Sequence, residues 1–188
     1  MAPAVRLSVV ATGPFGRRVA ELLPELDTDA VVAALWRPSP ALCERLDAEA
    51  FRDGRPWLPI VYDNPHVRVG PLVRPPYGPC FRCYTARETQ HDDRHRLTAA
   101  VGRAYDADPE LGSAAFLPHH ARLAAGLAAM VLGGGHDGQV LTADGYGSVT
   151  ADTVVTCEGC PRAHPSPARA RLSATLDRLF TGRARVVT

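Results

Sequence analysis

At 188 residues and 46% hydrophobic composition, the chain is long enough for one domain with a real core. Its net charge of +1 gives no electrostatic ground for binding nucleic acid or an acidic membrane surface. All 21 basic residues are arginine, which excludes Schiff-base chemistry, a phosphate-loop lysine and a lysine clamp on ATP.

The N-terminus, MAPAVRLSVV, has neither the basic start nor the long apolar run of a signal peptide. No apolar run approaches the roughly 20 residues that span a bilayer. A cytoplasmic protein with reduced thiols is the expectation.

In chain order, residues 5–10 are β-rich and lead into Ala11-Thr12-Gly13-Pro14-Phe15-Gly16. A helical pattern follows through Leu23, with Val19, Leu22, Leu23 and Leu26 as its apolar stripe and Pro24 as its stop. Residues 30–36 read as a buried strand. Strand, glycine turn, helix and strand together make a βαβ unit of Rossmann type. Pro40 and a Ser39 cap start a helix over 40–51. Two short strands are expected near 59–62 and 67–73, then a stiff loop, Pro75-Pro76-Tyr77-Gly78-Pro79. Residues 81–106 read as one polar, arginine-rich helix. Another helix covers 118–132, with Leu123, Leu127, Met130 and Val131 facing a core and Gly133 to Gly135 as its stop. Residues 139–143 and 148–156 alternate around Asp144-Gly145-Tyr146-Gly147 as a β-hairpin or meander. A loop over 161–167 and a helix over about 168–180 complete a single domain, 1–188.

Four of the five cysteines form matched pairs, Cys80-Phe-Arg-Cys83 and Cys157-Glu-Gly-Cys160. C-x-x-C spacing lets two thiolates grip one tetrahedral ion, and Zn²⁺ suits four sulfurs at roughly 2.3 Å. A shared ion would pin together segments separated by the 73 residues 84–156. Such a site is closed, so the zinc is structural. Two disulfides or two unrelated thiol pairs are the competing readings. Cys43 stands apart as a buried apolar residue.

The remaining motifs are weak. A full G-x-G-x-x-G fingerprint needs glycine at position 11, where Ala11 stands, and Pro14 removes a backbone donor. Trp36-Arg37 ends the second strand in place of a ribose-binding acid. No ATP or NAD site is expected there. His119 and His120 are adjacent on a helix and point about 100° apart. His91 and His95 have i, i+4 spacing but sit in a solvated run. No nucleophile motif is present, so no catalytic residue is assigned. The arginines at 82, 87, 94, 96 and 103 suit a solvated or protein-docking face.

The stretch 58–84, with its Val-Gly-Pro run and Gly-Pro-Cys-x-x-Cys segment, resembles the zinc-site segment of one protein group. Arg87-x-x-Gln90-His91, Leu117-Pro-His-His120 and the late Cys157-x-x-Cys160 add to the likeness, which covers about residues 5–160. The group is the leader-peptide-binding type of protein that accompanies cyclodehydratases in the biosynthesis of thiazole/oxazole-modified ribosomal peptides. It belongs to the adenylating, ThiF-like superfamily. The resemblance implies an α/β, Rossmann-like scaffold with a four-cysteine zinc site. It also implies a non-catalytic adaptor for a YcaO-type cyclodehydratase, with contact to the precursor peptide and self-pairing as further expectations. An ATP-dependent adenylating enzyme acting on a peptide is the alternative. The Rossmann-like pattern begins at Val5, so the N-terminal winged-helix module of longer members is expected to be absent.

Overall fold

A computed structural model of the chain describes residues 7–162 and His164. Among these, six strands form one sheet: β1 (Ser8–Ala11), β2 (Val31–Leu35), β3 (Trp57–Asp63), β4 (His66–Val69), β5 (Gln139–Ala143) and β6 (Val149–Thr153). The spatial order is β1-β2-β3-β4-β5-β6. The first three strands are parallel and the later pairings antiparallel. Five helices accompany them: α1 (Gly13–Leu22), α2 (Pro40–Asp53), α3 (Phe81–His91), α4 (His95–Ala107) and α5 (Pro118–Leu132). The helix expected over 168–180 lies outside the described residues.

Side-chain alternation sends the strands' apolar residues to two cores. Val32 and Ala34 of β2, with Leu58, Ile60 and Tyr62 of β3, meet Phe15 and Val19 of α1 and the alanine-rich face of α5. Ala33 and Leu35, with Trp57 and Val61, meet Cys43, Leu46 and Ala50 of α2 and Phe81 and Tyr84 of α3. Both faces of the central strands are covered, which is why β2 and β3 read as continuous apolar runs.

The βαβ unit is present: β1 and β2 pair in parallel with α1 between them. The order differs from a doubly wound sheet, in which the chain returns past its first strand to open a ligand crevice. Here β1 is an edge among the described residues. The glycine turn has a packing role. Gly13 takes φ +62°, and a Cβ there would lie 2.3 Å from the Trp36 ring. A Cβ on Gly16 would lie 2.2 Å from the Ala34 carbonyl, so α1 sits directly on β2.

Several expectations need correction. The helix expected over 81–106 is two helices. Asp92 breaks it: its Oδ1 accepts the Arg94 N–H at 2.8 Å and its Oδ2 accepts the Thr98 hydroxyl at 2.6 Å. An Asx turn thereby competes with the helix ladder. Met130 is exposed, because the buried face of α5 runs through Ala121, Ala124, Ala128 and Val131. Ser39 holds the cap position without a side-chain bond; the Asp106 carboxylate takes the Ala41 N–H instead. The strand expected over 67–73 stops at Val69, although Val73 returns to bridge Trp57. No described helix is long and apolar enough to cross a membrane.

Candidate metal centre

The stiff loop before α3 delivers Cys80 to the helix N-cap position and Cys83 to its first turn. Both are buried. After β6 the chain turns back, with the Cys160 N–H bonded to the Cys157 carbonyl at 3.3 Å. Cys80, Cys83, Cys160 and His164 then converge, their ligand atoms all within 4.8 Å of one another. Sγ of Cys80 lies 3.7 Å from that of Cys83 and 3.7 Å from that of Cys160. His164 Nε2 lies 3.2 Å from the sulfurs of both Cys83 and Cys160. A tetrahedron with metal–sulfur bonds of about 2.3 Å has sulfurs about 3.8 Å apart, so the donor set fits an ion of zinc's size and softness. All five cysteines are free thiols, which counters the disulfide reading.

Three of the four residues expected from the spacing are therefore together. Cys157 stands beside the cluster rather than in it. Its backbone N–H points at the Cys83 sulfur at 3.3 Å, and its own sulfur lies 3.7 Å from the Cys83 carbonyl oxygen. His164 was not singled out from the sequence. The signal was available, since Cys160-x-x-x-His164 has a usual metal-ligand interval.

The thiols are electrostatically unequal. Burial pushes the Cys80 thiol up to about 12. Burial also opposes ionisation of Cys83, but bonds from the Cys157 and Cys80 backbones and from neighbouring thiols hold it below its ordinary value. Burial raises Cys157. Burial lowers His164 and so favours the neutral imidazole that ligates metal. A bound dication would shift the thiols far towards thiolate.

Asp47 holds the surroundings together. It is fully buried on α2. Its Oδ1 accepts Trp57 Nε1–H at 3.2 Å and the Phe81 N–H at 3.1 Å, fastening β3 and the start of α3. Its Oδ2 lies 2.8 Å from Arg162 Nη2, an ion pair by distance without a well-aligned hydrogen bond. The Arg162 guanidinium covers the Phe51 ring at 4.3 Å, and the His164 ring meets Phe51 edge-on. Arg87 Nη2 reaches the Thr156 carbonyl at 3.4 Å. The late segment is thus anchored to α2 and α3 beside the ligands themselves.

The other candidates lie elsewhere. His91 ends α3 and His95 starts α4, and neither joins the cluster. His119 and His120 stand at the start of α5, on the other face of the sheet. Cys43 is buried and its thiol is pushed up to about 12, as an inert apolar residue requires.

No protein-family model matches the chain, and no curated protein matches it. Solved structures do. A heterocyclase in complex with substrate and cofactor aligns at TM-score 0.64 and 16% identity, over 86% of this chain and 25% of its own. The heterocyclase TruD aligns at 0.59 and 18% identity, over 84% and 27%. MccB from E. coli aligns at 0.53 and 14% identity, over 78% and 43%. At these identities the shared property is the fold. The chain spans about a quarter of the heterocyclases and less than half of MccB.

Proposed function

We propose that this chain is a zinc-stabilised, non-catalytic partner of a peptide-modifying cyclodehydratase of YcaO type, on a ThiF-like scaffold. The observation that carries the reading is a metal-ligand cluster on a fold shared with heterocyclases. The zinc is structural, because four protein ligands leave no open position. Cys80, Cys83 and Cys160 hold it. C-x-x-C spacing offers Cys157 as the fourth ligand, while the 3.2 Å approaches favour His164. Cys157→Ser and His164→Ala variants, each assayed for retained zinc, separate the two. The substrate is a precursor peptide; MccB has been solved with MccA. A homodimer and a cytoplasmic location belong to the same reading.

The second reading, an ATP-dependent adenylating enzyme, draws on the fold shared with MccB, which has been solved with AMPCPP and MccA. The Trp36 ring packed over Gly13 and the lack of lysine weigh against it. The discriminating experiment combines the purified chain, a cyclodehydratase and a precursor peptide. The adaptor reading expects co-purification with the cyclodehydratase and no peptide-dependent exchange of pyrophosphate into ATP by the chain alone. Exchange by the isolated chain would establish the enzyme reading instead.

A further inference from the structure

On the sheet face opposite the cysteines, a cavity of about 570 Å³ opens between the end of β3, the start of α5 and the β5–β6 turn. Its size lies in the range of small-ligand sites. Tyr62, Phe116, Leu117, His120 and Tyr146 line it with largely apolar surface, and Asn64 and Asp144 add polar groups.

His120 is the informative residue. The residue is only 3% exposed. Its Nδ1 accepts the Leu117 N–H at 3.4 Å, which assigns the proton of a neutral ring to Nε2. Burial and then the neighbouring His119 lower its pKa, which favours the neutral ring. That Nε2 is buried and has no hydrogen-bond partner among the described residues. A buried donor without an acceptor is costly, and native proteins supply such groups with a partner. Asn64 adds a second donor: its side-chain oxygen accepts the Tyr62 hydroxyl at 3.2 Å, leaving the NH₂ end.

The walls define the rest. Tyr62 stacks between Phe15 and His120, at 5.1 and 5.2 Å between ring centroids. Phe116 meets Phe15 edge-on. Tyr146 stands 99% exposed at the mouth, an aromatic ring without internal packing. Asp144 accepts the Tyr146 and Ser148 N–H groups through Oδ1, and these bonds favour its ionised form. Among the described residues no arginine lines the cavity. An anion would meet the Asp144 carboxylate; His66 also lines the cavity.

We infer that this cavity binds an uncharged aromatic amide: an aromatic residue of a peptide, its carbonyl oxygen accepting from His120 Nε2–H and its ring packed by Tyr62, Phe116 and Tyr146. The inference stands on this geometry and holds whether or not the chain partners a cyclodehydratase.

The test is NMR titration of the zinc-loaded full chain with three probes: N-acetyl-phenylalanine methylamide, N-acetyl-alanine methylamide and benzoate. Saturable shifts from the phenylalanine probe at Tyr62, His120 and Tyr146 are expected, with the other two at least about tenfold weaker. His120→Phe keeps an aromatic ring and removes the donor, so it should weaken the phenylalanine probe about tenfold. Tyr146→Ala, at a solvent-exposed position that cannot disturb folding, should weaken it about threefold. Benzoate binding as well as the amide, shifts centred elsewhere, or Tyr146→Ala binding like the parent chain would each overturn the proposal.

Discussion

The two faces of the sheet are held together by different means. The α1/α5 face is a conventional core: Phe15, Val19, Ile60 and the alanines of α5 are sealed from water. The α2/α3 face also has a core, around Trp57, but its outer part rests on a polar construction. There Asp47 joins three elements, and a thiol–imidazole cluster joins residues 80–83 to residues 157–164. The contrast shows how a small α/β chain with a truncated parallel sheet can fasten its late segment. β6 is exposed throughout and adds little buried area, so residues 154–162 are fastened by the cluster together with the Asp47–Arg162 pair and the Arg87 bond to Thr156.

The largest effect should come from the cluster. Because metal binding couples to folding, Cys80→Ser or chelation should abolish zinc binding and expose residues 154–164 and the start of α3 to hydrogen exchange. β1, β2 and α1 should keep most of their protection. Uniform loss of protection across both faces would break the comparison.

Phe15→Ala removes the ring that touches Tyr62 and Phe116 and should cost about 3–5 kcal/mol. Measured by denaturant unfolding, that loss should be the same with zinc or with chelator. A zinc-dependent loss would mean that the faces are not separable.

Asp47→Ala leaves Trp57 Nε1–H, the Phe81 N–H and the Arg162 guanidinium without their acceptor, and should cost about 3 kcal/mol. Unlike Phe15→Ala, it should also weaken zinc affinity, read by competition with a chromophoric chelator. Unchanged affinity would reduce Asp47 to a core residue.

The smallest effect concerns pH on the α1/α5 face. The folded state holds His120 below its unfolded pKa, through burial first and His119 second. Its contribution to stability is therefore complete above the unfolded value of about 6.5 and is lost as pH falls through the lower, folded value. His120→Phe should flatten the decline of stability below pH 6.5, measured with the metal kept off in both proteins. An identical decline in parent and variant would remove His120 from the account.

Legibility in the sequence followed the same division. The apolar runs of β2 and β3 and the stripe of α1 have short-range periods, so they read correctly from residues 7–63. The C-x-x-C pairs are likewise local patterns, and they located three cluster members. What escaped depended on distant partners. Asp47 sits in Cys-Glu-Arg-Leu-Asp-Ala-Glu as one acid among three, and only the fold brings Trp57, Phe81 and Arg162 to it. His120 reads as one of two adjacent helix histidines pointing about 100° apart, and only the fold lays it against Tyr62. The break at Asp92 was hidden because Arg94 and His95 are compatible with a helix, and the side-chain bonds that end it leave no periodic trace. His164, four residues beyond Cys160, joins the cluster in the fold without belonging to the regular cysteine pairs that stand out in the sequence.

The central claim is that one zinc ion ties residues 80–83 to residues 157–164. Elemental analysis of freshly purified protein, with Cys80→Ser and Cys160→Ser beside it, tests this most directly. The account predicts one zinc per parent chain and none in either variant. A parent chain without stoichiometric zinc, or a variant that keeps its zinc, would contradict it.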